Sequence, residues 1–140
     1  NTNRGFTLIE LLIVMTIIAI LMSIAIPTYQ QYTKKAHYAE IIEAAEPLKV
    51  AVALCYQNTG TLAHCQSGHQ GIPKRRSQTT TLLHIAEVKA NGVIHLQPHP
   101  RYGIEEKDDL VLTPQIIETT LHWSLSGGAL TAGYVSPINF

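Results

Sequence analysis

A chain of 140 residues with 46% apolar content, ten Lys plus Arg, ten Asp plus Glu, seven His and two Cys has the length of one modest domain, which excludes a large multidomain enzyme. A formal net charge of zero gives no long-range field of one sign and argues against nucleic acid as the principal partner. The apolar residues are concentrated, with 17 in the 21 positions 6–26, so the remainder has enough for a small core only.

The first element is that apolar run. At about 1.5 Å per residue, a helix over Phe6–Ile26 spans roughly 31 Å, the thickness of a bilayer's hydrocarbon core. Thr7, Thr16 and Ser23 are expected to bond back to carbonyls of their own helix. Glu10 is the run's one charge, and a carboxylate inside lipid is costly enough to need a partner or a function. Two other readings compete. Glu10 snorkels to the interface, or the run is a cleaved secretory signal with Ser23-Ile24-Ala25 as its small-x-small site, which the length and the acidic residue oppose.

Arg4-Gly5-Phe6-Thr7-Leu8-Ile9-Glu10-Leu11-Leu12-Ile13-Val14, followed by the apolar stretch to Ala25-Ile26-Pro27, resembles the class III signal of type IV pilins and their pseudopilin relatives. The resemblance implies a prepilin peptidase that cuts between Gly5 and Phe6 and methylates Phe6, leaving residues 1–5 as leader. It implies that Glu10 meets the N-terminal amine of a neighbouring subunit in a filament core, so that two buried charges compensate each other. Ala19 departs from the Gly that many relatives carry, which bears on whether residues 19–27 unwind in a filament. Lys34 and Lys35 outnumber Arg4, so loop charge does not orient the segment; a cytoplasmic N-terminus and a periplasmic globular domain rest on the resemblance. The implied function is a structural subunit of a type IV pilus, held in the bacterial inner membrane and then polymerised into an extracellular helical homopolymer. Its partners would be further copies of itself, the peptidase, the inner-membrane assembly platform and, before assembly, the bilayer. The alternatives are a pseudopilin of a type II secretion system and a minor pilin that binds DNA during competence.

Past Pro27 the apolar positions Tyr38, Ile41, Ala45, Leu48, Val52 and Cys55 recur at alternating steps of three and four, one face of an amphipathic helix. This helix, 27–58, is expected to bend at Pro27 and Pro47 and to stop at Gly60. Residues 59–80 read as a loop. Cys55 and Cys65 are the right number for one bridge, closing an 11-residue loop outside the reducing cytosol. Residues 81–140 supply an antiparallel sheet: strands at Leu82–Lys89 and Val93–Gln97 joined by an Asn91-Gly92 type I′ turn, then Asp109–Thr113, Thr119–Leu125, a Gly127-Gly128 turn and an edge segment Ala129–Val135. A long N-terminal helix packed on a small antiparallel sheet is an α+β fold, and the resemblance implies the same. Many relatives place a disulfide near the C-terminus, around Trp123 to Tyr134, where this chain has no cysteine.

The remaining candidates are weaker. Counting outward from Asn91-Gly92 pairs Ala90 with Val93, Val88 with His95 and His84 with His99, which would put three histidines on one face, a donor set for zinc or copper; exposed sheet histidines are the plainer reading, and no metal is assigned. His37, His64, His69 and His122 have no ligand spacing. Lys74, Arg75 and Arg76 form a short basic run, a candidate DNA contact able to reach few phosphates and without an interleaved aromatic. Glu105 to Asp109 reads as a polar turn, which would need converging oxygens to hold calcium. Tyr29, Tyr32, Tyr38 and Trp123 read as interface and core aromatics. The sequence carries no nucleophile elbow, phosphate loop or His-Glu-x-x-His, so neither an enzyme nor a cofactor is expected.

Overall fold

The computed structural model describes residues 2–137, which divide by contact into two units, one ending at Thr33 and one beginning at Lys34. A single helix, α1 (Leu8–Thr59), contributes to both. It runs through Pro27 and Pro47 without a break, although each proline removes one amide donor from the ladder.

In the first unit every described residue is exposed. The large apolar side chains from Leu8 to Ile26 expose between 45% and 78% of their surface, and α1 is the one helix among the described residues long and apolar enough to cross a membrane. The Thr16 hydroxyl donates to the Leu12 carbonyl at 2.8 Å and Ser23 to Ile20 at 2.6 Å, as expected for hydroxyls on an apolar helix. Thr7 behaves differently, and its role is taken up below.

In the second unit the buried face of α1 is the one read from the sequence: Tyr38, Ile41, Ala45, Leu48, Val52 and Cys55. Gly60, with a φ of +70°, ends the helix by donating its amide to the Tyr56 carbonyl at 2.8 Å, a left-handed cap that glycine adopts without steric cost. Cys55 and Cys65 are bonded, with Cα atoms 5.9 Å apart, which ties the loop to the helix end. A five-stranded antiparallel sheet follows in chain order, β1 (Arg76–Ser77), β2 (Leu83–Val88), β3 (Ile94–Pro98), β4 (Leu110–Ile117) and β5 (Thr120–Ser126). Ile94, Leu96, Leu110 and Leu112 alternate inward and join the helix face in one core. The α+β reading therefore holds.

Three local expectations need correction. The loop assigned to 59–80 contains β1, which pairs with β2 at Arg76↔Ala86 and Ser77↔Ile85. The β2–β3 turn has three residues, Ala90–Gly92, closed by Lys89 N–H donating to Val93 O at 2.7 Å, so Val88 faces Ile94 and Glu87 faces His95. The two-residue count had placed His95 opposite Val88, and a slip of one residue exchanges the faces of a strand. Finally, Ala129–Val135 is no strand: α2 (Gly128–Thr131) starts there, anchored because Asp109 accepts the Gly128 amide on Oδ1 and the Ala129 amide on its carbonyl, each at 3.0 Å.

Candidate assembly and processing site

The N-terminal segment is built around Thr7. Thr7 precedes the first helical residue, its Oγ1 accepts the Glu10 amide at 3.3 Å, and Glu10 Oε2 accepts the Thr7 amide at 2.8 Å and the Thr7 hydroxyl at 2.9 Å. This reciprocal arrangement is a capping box, which satisfies orphan amides of the first turn. The sequence reading gave Thr7 a back-bond to a helix carbonyl and missed the box, although Thr-x-x-Glu before an apolar run is its signature. Its consequence is chemical: the carboxylate in the apolar helix already has donors within its own chain. Gly5 and Phe6 lie before the helix; nothing stands within 4 Å of where a Gly5 side chain would begin, and Phe6 is 91% exposed. The Gly5–Phe6 peptide bond thus lies exposed and outside regular secondary structure.

The other sequence candidates fall in the second unit. Of the basic run, Arg75 Nε is 3.1 Å from Glu87 Oε2, while Lys74 and Arg76 form no ion pair among the described residues. Arg75 is thus committed to the sheet and Lys74 and Arg76 remain outward. His84 and His99 do meet, ring centroids 4.4 Å apart, with the buried His84 Nδ1 lacking a hydrogen-bond partner. His95 is held elsewhere, its ring nitrogens 3.3 Å from Glu87 Oε1 and 3.0 Å from Asp109 Oδ2. The three histidines do not converge, because His95 stands four residues before His99, about 13 Å along an extended chain, and its ring is engaged by Glu87 and Asp109. Among the described residues no three His, Cys, Asp or Glu side chains converge on a metal position.

The acidic turn also diverges. Asp108 is buried and accepts the Glu105 amide at 2.8 Å, Asp109 turns to Gly128 and His95, and Glu105 pairs with Lys107 at 2.8 Å. Beneath it lies Tyr38, whose hydroxyl donates to the Asp108 carbonyl at 2.7 Å and whose ring stacks on Tyr134 at 5.0 Å. Burial, and then the nearby Asp109 and Asp108 charges, push the Tyr38 phenol well above its ordinary value, because both disfavour a phenolate. Tyr29 and Tyr32 are each 74% exposed, whereas Trp123 is half-buried against the core.

Comparison with known proteins agrees with this geometry. The family model described as "Prokaryotic N-terminal methylation motif" matches residues 1–26. The chain is 46% identical over 96 residues to "Prepilin peptidase-dependent protein D" of Escherichia coli (strain K12), covering 69% of this chain and 64% of that protein. It is 51% identical over 71 residues to "Type IV pilus subunit protein TapA" of Aeromonas hydrophila, covering 51% and 50%. With "Type IV major pilin protein PilE1" of Neisseria gonorrhoeae it shares 38% over 95 residues, covering 68% and 44%. The chain thus spans less than two thirds of the length of these curated relatives. Among solved structures, the solution NMR structure of the major type IV pilin PpdD from enterohemorrhagic Escherichia coli aligns with a TM-score of 0.55 and 26% identity, covering 69% of this chain and 70% of that one. In methylation motif, in relatives and in fold, the chain is thus similar to type IV pilins.

Proposed function

We propose that the chain is a structural subunit of a type IV pilus, cut after Gly5, methylated on Phe6 and polymerised through α1 into a helical filament. The observation that carries this reading is the surface of α1 up to Ile26, apolar and exposed on every side. Such a helix is stable in lipid or among its own kind and nowhere in water. Lipid holds the subunit before assembly and neighbouring helices replace lipid afterwards, with the N-terminus on the cytoplasmic side and the second unit in the periplasm. Head-to-tail contacts that do not close extend the filament. Glu10 then takes the amine of a neighbouring Phe6 as a further partner, which sets the register between helices. The chain is a building unit with no reaction of its own; adhesion, twitching and DNA uptake belong to the assembled fibre and its motor. Lys74 and Arg76 are the residues through which DNA would touch its surface, Arg75 being engaged by Glu87.

The test is the intact mass of the chain in a sheared surface fraction. A species beginning at methylated Phe6, two hydrogen atoms lighter for the Cys55–Cys65 bond, supports processing, export and polymerisation together. A species beginning near Ile26, or an uncut chain confined to membranes, refutes the filament reading. Glu10→Ala is expected to remain membrane-inserted while sheared fibres fall severalfold; normal fibre yield by electron microscopy would remove Glu10 from assembly.

A further inference from the structure

The β4–β5 hairpin outruns its sheet. The last β3–β4 pair is Ile94↔Leu112, whereas β4 pairs with β5 as far as Ile117↔Thr120, so Thr113 to Ile117 form about 17 Å of two-stranded ribbon. From Gln115 to Thr120 every residue is exposed, and Ile116 and Ile117 expose 47% and 50% of their surface. The turn itself has positive φ at both central residues, Glu118 at +48° and Thr119 at +74°, a type I′ shape that suits Asn-Gly and is costly for a β-branched residue. Glu118 makes no ion pair among the described residues. The tip is thus apolar, acidic and exposed.

The opposite edge of the same sheet carries the complement. Beside β1, about 19 Å from β5 at four strand spacings, Pro47 and Leu48 of α1 and Leu83 and Ala86 of β2 floor an open groove of about 270 Å³. Lys74, Arg76 and Thr80 line it, the Thr80 hydroxyl donating to the Glu40 carboxylate. The volume falls just under the range of about 300 Å³ and upward typical of small-molecule pockets, which suits a few side chains of a docking segment.

We propose that this groove receives the β4–β5 tip of a second copy of the chain, with Ile116 and Ile117 on the apolar floor and Glu118 between Lys74 and Arg76. Charge sign, apolar character and equal stoichiometry all match: Ile116, Ile117 and Glu118 are exposed at the tip, and Pro47, Lys74 and Arg76 are exposed at the groove, above the buried Leu48 and Leu83. Tip and groove are different patches of one molecule, so the contact is heterologous and repeats without closing. The inference rests on the filament reading and adds a contact between globular units to the one between helices.

The test is charge exchange in the full chain, read as sheared fibres relative to total cellular subunit. The double variant Lys74→Glu with Arg76→Glu, and separately Glu118→Arg, are each expected to lower fibre yield about tenfold, since like charges facing across an interface repel strongly. The triple variant should recover most of the yield, a result that misfolding of the double variant would not produce. Ile117→Asp should lower fibre yield without changing the melting temperature. Wild-type yield from the double variant, or a triple variant no better than the double, overturns the contact while leaving the filament reading intact. A groove that instead holds a free anionic amphiphile would leave yield indifferent to Glu118→Arg, which also overturns the contact. Absence of sheared fibres from the wild-type chain overturns both readings.

Discussion

Asp109 fixes the C-terminal turn through three of its atoms: Oδ1 on the Gly128 amide, the carbonyl on the Ala129 amide and Oδ2 on His95. The approach is so close that a methyl group on Gly128 would overlap the Lys107 carbonyl, and one on Gly127 the Asp109 carbonyl. Gly128→Ala is therefore expected to cost about 3 kcal/mol or more, since backbone must move to admit it. Gly133→Ala is the control: its Cβ would meet nothing within 4 Å, leaving only the strain of φ +76°, about 1 kcal/mol. Urea unfolding of the two variants side by side separates close approach from backbone strain, and equal losses would refute the distinction. Thr7 offers a second test at this scale. Its hydroxyl both accepts from the Glu10 amide and donates to the Glu10 carboxylate, so Thr7→Val strips the cap while Thr7→Ser keeps it. Fibre yield should fall for valine and persist for serine; a wild-type yield from Thr7→Val would show that the capping box has no part in presenting Glu10.

Elements differ in how far local sequence specifies them. The buried face of α1 was legible because six apolar positions share one helical period, and the packing followed that period without exception. The β2–β3 register was not legible, because Asn91-Gly92 suits two turn lengths. Packing decides between them: Gly92 lies so close to Val52 that a Cβ would stand 2.8 Å from its Cγ1, and only the three-residue turn puts both Val88 and Ile94 inside. The acidic turn hid its roles for a similar reason, since Asp109 reaches a glycine 19 residues away. Of the residues proposed for processing and assembly, Gly5, Phe6 and Glu10 were singled out by the motif, while the link from Thr7 to Glu10 was overlooked though its spacing was in view. The helix end depends on a covalent tie as well. Cys55 is buried on α1 and Cys65 is buried in the loop, and their bond closes a short loop worth about 2–3 kcal/mol by chain entropy. Cys55→Ala with Cys65→Ala should lower the urea midpoint accordingly; an unchanged midpoint would mean that the loop is held by its backbone hydrogen bonds alone.

At the scale of the whole molecule, one helix serves two solvents. Up to Ile26 its large apolar side chains are exposed on all sides, and from Tyr38 onward a single stripe is buried in the chain's own core. On the proposed filament reading, that division would let the second unit keep its fold while the first exchanges lipid for neighbouring helices, provided the core does not loosen in the process. Tyr38 is the first buried residue of the stripe, and its phenol makes the core's stability depend on alkaline pH in a determined direction. Folding raises the Tyr38 phenol well above its ordinary value of 10.0, through burial first and the Asp109 and Asp108 charges next, and Tyr134 is raised in the same direction. The unfolded chain therefore releases these protons near pH 10 while the folded chain keeps them, so above that pH the unfolded state binds fewer protons. Stability is then unaffected below about pH 10 and falls as pH rises beyond it. Tyr38→Phe forfeits the hydrogen bond to the Asp108 carbonyl, a loss of about 1 kcal/mol at neutral pH, yet should flatten the alkaline decline, leaving the weaker dependence due to Tyr134. Urea midpoints measured from pH 7 to the alkaline limit for both chains test this, and parallel declines would show that the Tyr38 proton is not held by the fold.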